Sequence, residues 1–433
     1  MPGDLLLITY EFPPSGGGGV QRVAKFCRYL PAAGWWPAVV AASPVAGRPL
    51  DESLESEVRG TPVVRVPGRH VASALARALR PLKALARRSG GGEGRPASGP
   101  SGVPALSGRL ARFVAVPDDA AFWIGPAVRA GVDLGRERDV SAVLASGPPH
   151  SALVAGARVA RELGVPFVAD MRDAWRDNPV KWWPTPAHEA RSLALERAVL
   201  ASADVVLAVS EPIAAEAREM GAHEALVLPN GFDPADLPRW RPHAEGPLRV
   251  VFMGTVYRGH SDPGVFLKGM AEAVSRGVDV TLDLVGSAPG SLSGDVAALG
   301  LADRVTLHGY LPHAEALAAA GAADVGLVLI AGRPGAKASV TGKLYEYLGM
   351  GLPALVAGPP DGAAASLVRQ ARAGEVVAPD DPAAVAEVLA RLERAKRDGS
   401  LGRDLDTSVV AVFDRRAQAA RLASVLDGLV DRS

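Results

Sequence analysis

The chain has almost no cysteine, no net charge and no long apolar run. Cys27 is the single cysteine among 433 residues, which excludes an internal disulfide framework and any cysteine-rich metal site. Its neighbours Val23, Phe26 and Leu30 read as one buried helical face around the thiol. With 47 basic and 47 acidic residues, no global field points to nucleic acid. No window holds about 18 uninterrupted apolar residues, so no transmembrane helix is expected. The opening MPGDLLLITY reads as a strand, too short and wrongly flanked for a signal peptide. The expectation is a cytoplasmic, globular protein of two domains.

What is present is alternation. In the first half LLLITY, PAVVAAS, PVVRVP, SAVLAS, PFVAD, DVVLAVS and ALVLP read as strands. Helical stretches separate most of them, notably Val20–Leu30, Ser151–Leu163 and Glu189–Ala201. After the proline-rich connector Pro229–Pro247 the alternation restarts with LRVVFMG, VTLDLVG, VTLHG, VGLVLI, PALVAG and EVVAP. Alternating strands and helices predict parallel sheets covered on both faces, hence two α/β units, with the default ligand site beyond the carboxyl ends of the strands, in a cleft between the units. The expected domains are residues 1–238 and 248–410. Residues 411–433 hold an amphipathic helix, Arg415–Val430, that is expected to cross back to the first domain.

One stretch departs from this pattern. Between Arg65 and Arg95 stand eight basic residues and a single acid, Glu93. VASALARALRPLKALARR has an apolar and a basic face, and the Gly-rich run after it completes a flexible insertion over about 69–104. Such a segment suits either an anionic membrane surface or a solvated surface loop.

Two places can carry anion chemistry. Gly16–Gly19 stand between the first strand and a helix beginning near Val20, where backbone N–H groups can approach an anion closely. The dinucleotide fingerprint fails there, because Gln21 or Arg22 occupies its sixth place and the second strand ends in Ser43 rather than an acid. The second place is SVTGKLYEYLGMGLPALVAG, Ser339–Gly358. Thr341 can cap a helix from about Lys343 to Met350, Gly351 can end it in the left-handed region, and Pro353 prevents continuation. Lys343 at the helix start opposes the macrodipole, and Glu346 follows it in the poorer order for a stabilising pair. A bound diphosphate would explain the lysine; a solvated lysine is the plain alternative. GKLYE lacks the upstream glycine and following hydroxyl of a P-loop.

Taken in order, ITYEFPPSGGGGVQRVAKFCRYLPAAGW, ASGPPHS, FVADMRDAW, FMGTVYRGHSDP and GKLYEYLGMGLPALV resemble the family 4 retaining glycosyltransferases. The resemblance covers nearly the whole chain and least well the basic insertion. It implies the GT-B fold, two Rossmann-like α/β domains facing a central interdomain cleft, with a nucleoside diphosphate sugar on the C-terminal domain. By this resemblance Glu346 takes the ribose hydroxyls, and Lys343 and Arg258 meet the diphosphate. Gly254, Thr255, Thr341, Gly342 and Leu344 line the donor site, with Tyr310 at the wall beside the nucleobase. The turn Gly17, Gly18, Gly19 approaches the β-phosphate and acceptor, and His150 contacts the donor sugar. Asp170, Arg172 and Asp173 face acceptor or sugar; an internal Asp–Arg ion pair is the alternative. Trp175, Trp182 and Trp183 are an acceptor platform or loop anchors.

The implied reaction is front-face transfer without a metal or other cofactor, the nucleotide sugar serving as co-substrate. In family members a first glutamate stands eight residues before the second. Here that place is Ala338, with Lys337 and Ser339 beside it, which leaves the sugar open. A D-x-D run at Asp404–Asp406 matches a metal motif in letters alone. The expected acceptor is a glycan or polysaccharide precursor, lipid-linked or not, or a natural-product aglycone. The expected assembly is a monomer or homodimer, with peripheral contact at the inner membrane face if the basic segment binds lipid. A nucleotide-sugar epimerase or hydrolase, a pseudo-glycosyltransferase coupling enzyme and a non-catalytic nucleotide-sugar-binding subunit are the alternatives.

Overall fold

A computed structural model of the chain describes residues 3–44, 50–68, 113–176, 183–257, 259, 261–333, 336–338 and 340–432. The basic insertion over 69–104, Trp182, Arg258 and Ser339 lie outside the described residues.

Among the described residues the strands form two sheets, and every pairing within them is parallel. The first contains β1 (Gly3–Thr9), β2 (Trp35–Ala42), β3 (Val63–Val66), β4 (Ala142–Gly147), β5 (Phe167–Met171), β6 (Val205–Ala208) and β7 (Ala225–Val227), in the order β3-β2-β1-β4-β5-β6-β7. The second contains β8 (Leu248–Met253), β9 (Val280–Val285), β10 (Val305–Gly309), β11 (Val325–Leu329), β12 (Ala354–Ala357) and β13 (Gly374–Val377), in the order β10-β9-β8-β11-β12-β13. Chain order reverses between β1 and β4 in one sheet and between β8 and β11 in the other. Such reversal points open the crevices where α/β sheets take ligands.

The central strands are apolar without alternation because helices cover both faces. Leu5, Leu6, Leu7 and Ile8 of β1 are all inaccessible to solvent, as are Val250, Val251 and Phe252 of β8. Each fully buried Leu, Ile or Phe side chain contributes roughly 1.5–3 kcal/mol relative to exposure, so these two strands anchor their sheets.

The chain divides into two compact units, Met1–Leu228 with Ala420–Ser433, and Pro229–Ala419. The proline-rich connector therefore belongs to the second unit, ten residues earlier than the expected limit at 238. Its apolar residues account for the difference: Phe232, Leu237 and Trp240 pack into the second unit's core, and Trp240 Nε1 donates to the Ala323 carbonyl at 2.8 Å. At the other end, the Arg415–Val430 helix supplies Asp427, which accepts a 3.0 Å hydrogen bond from the fully buried Trp35 of the first unit. Among the described residues no helix is long and apolar enough to cross a membrane.

Candidate functional site

In the second unit the helix Gly342–Met350 follows the loop after β11 and lies at the sheet's reversal point. Tyr347 fixes its position. The fully buried phenol accepts from Met253 N at 3.1 Å and donates to the Val251 carbonyl at 3.3 Å, which pins the helix beneath the end of β8. The phenol pKa is raised, chiefly by burial. Nothing in the sequence marks Tyr347 except its helical spacing from Lys343: residues four apart share a face, so Lys343 is carried to the same strand end.

Lys343 Nζ stands 3.6 Å from the centroid of the Phe252 ring. It is also 3.1 Å from where a Cβ on Gly254 would lie. No described residue hydrogen-bonds this ammonium. Burial pulls its pKa down to about 7, opposed in part by Glu346. A desolvated cation at a helix start is electrostatically costly unless an anion or water compensates it.

Thr341 occupies the N-cap position as expected, with extended backbone, but its side chain makes no capping bond. Its Oγ1 is buried without a hydrogen-bond partner among the described residues. The capping expectation is corrected: the hydroxyl is unused, and leaving a buried hydroxyl unpaired costs about 1–3 kcal/mol. Gly342 opens the helix, which has no acid in its first turn, and the adjacent Leu344 is fully buried core.

The first unit treats its corresponding helix differently. Ser151–Leu163 also follows the fourth strand of its sheet, but Asp118 reaches its N-terminus from 33 residues away. Asp118 accepts from Ser151 N at 3.0 Å and from Ser151 Oγ at 2.6 Å. A protein carboxylate thus already satisfies the N-terminal end of that helix, whereas its counterpart in the second unit has neither a side-chain cap nor an acid in its first turn.

Backbone completes the open site. Gly254, just past β8, donates to the Val285 carbonyl at 2.7 Å, and Gly286 donates to the Gly309 carbonyl at 2.7 Å. A Cβ on Gly286 would come within 2.2 Å of the Gly254 carbonyl oxygen, and its φ of +135° is itself disfavoured for an L side chain. Three neighbouring strands thus end in side-chain-free backbone. Thr255 follows Gly254 with its carbonyl accepting from Ser261 Oγ at 2.9 Å. Next to Gly309, His308 pairs with Asp283 at 2.7 Å, and Tyr310 is 45% exposed. Glu346 lies one turn beyond Lys343, and its Oε1 meets His313 Nε2 at 2.9 Å. Sequence reading did not single out His313. It lies 33 residues from Glu346, and no local pattern joins them.

In the first unit the expected acceptor residues gather at the ends of β1, β4 and β5, in different roles. Asp170 is wholly buried, paired with Arg22 (Nη2 to Oδ1, 2.8 Å) and accepting from Ser146 Oγ at 2.7 Å. An acceptor contact for Asp170 is therefore corrected to an internal ion pair, whose partner is Arg22 rather than Arg172. Arg172 is also buried; its guanidinium donates to the carbonyls of Gly19 and Pro148 and so ties the glycine-rich turn to the loop after β4. A Cβ on Gly19 would lie 2.8 Å from Arg172 Nη1 and 3.0 Å from Glu11 Oε2, so a side chain there would have to displace the ends of both. Gly17 is the N-cap of the helix Gly18–Tyr29, which begins two residues earlier than the spacing suggests.

Trp175 is corrected as well. It is 1% exposed, its Nε1 donates to Ser192 Oγ at 3.1 Å, and its ring lies 4.6 Å from that of His150. It anchors the loop and offers no face to a sugar. His150, expected against the donor sugar, is 2% exposed and packs on that ring at the start of the Ser151–Leu163 helix. Asp173 is the exposed member of the group. Desolvation nevertheless raises its pKa, with Arg172 opposing. The Asp404–Asp406 run is accounted for by Asp406, which caps the short helix Thr407–Ala411 through Ser408 N at 3.1 Å.

Two doubly wound parallel sheets in two compact units define the class, a two-domain α/β protein of the GT-B fold. Two family models match the chain: "Glycosyl transferase 4-like domain" over residues 17–231 and "Glycosyl transferases group 1" over residues 247–394. Together they span most of its length, and the chain is a GT-B glycosyltransferase. Among curated proteins no sequence matches it. Among solved structures it is similar to a sucrose-phosphate synthase from Thermosynechococcus elongatus, at 17% identity over 100% of both chains with a TM-score of 0.67. A glycosyltransferase from Rickettsia africae ESF-5 matches at 11% identity over 99% of both chains, TM-score 0.64. A lipopolysaccharide outer core galactosyltransferase in its apo form matches at 12% identity over 97% of this chain and 99% of that one, TM-score 0.54. At such identities these likenesses concern the fold.

Proposed function

We propose that the protein is a retaining glycosyltransferase that takes its sugar from a nucleoside diphosphate held by the second unit. The observation that carries the reading is the open start of the Gly342–Met350 helix. There the desolvated Lys343 ammonium stands beside Gly254, and two residues before it the Thr341 hydroxyl is buried without a hydrogen-bond partner among the described residues. A diphosphate supplies what each lacks: a counter-charge for the lysine, an acceptor for the hydroxyl and a partner for the free helix N–H groups. Glu346 would accept from the ribose diol, and Tyr310 would flank the base. Arg258 would add a second cation.

Breaking the bond between the anomeric carbon and the phosphate oxygen builds negative charge on the leaving diphosphate, which Lys343 would stabilise. The acceptor hydroxyl attacks the anomeric carbon on the face the diphosphate leaves, and its proton passes to a departing phosphate oxygen. This route requires no carboxylate nucleophile. In it Lys343 and Arg258 take the neutralising role of a divalent ion. Asp173, exposed at the end of β5, would orient the acceptor, while Arg172 holds the glycine-rich turn. The acceptor class proposed is a glycan precursor or natural-product aglycone, with the basic segment as the contact if the precursor is lipid-linked.

The test is a transfer assay with a panel of nucleotide sugars and acceptors in EDTA, followed by proton NMR of the product. Retained anomeric configuration, undiminished by EDTA, is expected. An inverted product refutes the retaining route, and activity abolished by EDTA refutes metal independence.

A further inference from the structure

The Glu346 carboxylate is not left to find its own orientation. Its Oε1 lies 2.9 Å from His313 Nε2, and both side chains are largely shielded, at 20% and 25% exposure. A carboxylate can only accept, so Nε2 carries the proton in this pair whichever charge the ring bears. His313 is the first residue of the helix His313–Gly321, directly after Pro312, whose fixed φ pre-sets the chain for helix entry. The imidazole therefore projects from a defined backbone start, and Glu346 projects from a helix pinned by Tyr347. Lys343 stands one turn away on the same helix and attracts the carboxylate electrostatically. The His313 contact engages one carboxylate oxygen, Oε1, and leaves Oε2 for another donor.

We propose that His313 is a positioning residue that holds Glu346 Oε1 and leaves Oε2 directed to the sugar hydroxyls of the nucleotide. This rests on the ribose-binding reading of Glu346 given above. It separates two functions on one helix turn: Lys343 serves the phosphates and Glu346 the diol. The chemical class read by the pair is a vicinal ribose diol, so its signature is discrimination between a ribonucleoside diphosphate and its 2′-deoxy counterpart. A residue that merely supports the fold would change the affinity for both nucleotides together.

The experiment is calorimetric titration of the full chain with uridine, guanosine and adenosine diphosphates, the 2′-deoxy form of whichever binds, and inorganic pyrophosphate. It compares wild type with His313→Ala, His313→Asn and His313→Gln. Wild type should prefer the ribonucleotide by about tenfold, the worth of one charge-assisted hydrogen bond. Alanine, and asparagine, which is too short to reach Glu346, should collapse that preference to about twofold, while glutamine, which can still donate, should keep most of it. Pyrophosphate affinity should change by less than about threefold in all three, since Lys343 is untouched. Full preference retained in folded His313→Ala or His313→Asn overturns the positioning role and leaves the ribose reading standing. Pyrophosphate affinity falling in step with nucleotide affinity assigns His313 to the phosphate site and also overturns it. A wild type that binds both sugars equally ends the ribose reading and the inference with it.

Discussion

The ammonium of Lys343 stands 3.6 Å from the centroid of the Phe252 ring, at the end of β8. This contact brings a cation, an aromatic face and an uncapped helix start to one reversal point. The ring stabilises the charge but cannot replace water or an anion, and the lysine pKa falls to about 7.

A pH dependence follows with a definite sign. Unfolded, Lys343 titrates near its ordinary 10.5; folded, near 7. Below pH 7 both states hold the proton and the full penalty for the buried charge stands. Between 7 and 10.5 the unfolded state binds more protons, so stability rises with pH through that window. Lys343→Met should therefore be more stable than wild type by about 1–3 kcal/mol at pH 6, with the advantage shrinking by pH 9.5. Denaturant melts at the two pH values check this.

Binding should reverse the shift. A diphosphate beside Lys343 favours the charged lysine, so at pH 8 complex formation should take up about one proton. Titrations in buffers of different ionisation enthalpy measure that uptake directly. It should vanish in Lys343→Met.

Thr341→Val removes a buried hydroxyl that has no partner. The free protein should lose no stability, or gain about 1 kcal/mol, while pyrophosphate binding weakens by roughly tenfold. Thermal melts paired with titrations separate the two effects. A variant that loses stability and keeps its affinity would make Thr341 structural.

In the first unit Asp170→Asn leaves Arg22 as a buried charge with a weakened partner. Removing one member of such a pair typically costs about 3–5 kcal/mol. The variant should melt well below wild type, with loss of activity following loss of fold. Gly286→Ala should also destabilise the second unit, because the new methyl meets the Gly254 carbonyl.

Most of this fold was legible in the sequence for a physical reason. Parallel strands covered on both faces must be unbroken apolar runs, and LLLIT, AVLASG and VGLVL stand out against their helical neighbours. Helix ends with glycine or proline punctuation, such as Gly351 after Met350, were equally plain. Site residues within a few positions of one another, Lys343 and Glu346 above all, could be placed from helical spacing. What could not be read was pairing across sequence: Arg22 with Asp170, separated by 148 positions, and His313 with Glu346, separated by 33. Burial of loop aromatics was equally hidden. Trp175 follows a strand end where a stacking platform is plausible, and only tertiary packing against His150 and Ser192 makes it an anchor. Thr341 misled because a threonine before a helix normally caps it, whereas here its hydroxyl makes no bond to the helix N–H groups.

The most direct measurement is a calorimetric titration of wild type and Lys343→Met with the panel of nucleoside diphosphates. The account predicts micromolar binding of one of them to wild type and a loss of at least about tenfold in the variant, with the variant fully folded. Equal affinity in both proteins, or no binding to either, would contradict a diphosphate site at the start of the Gly342–Met350 helix.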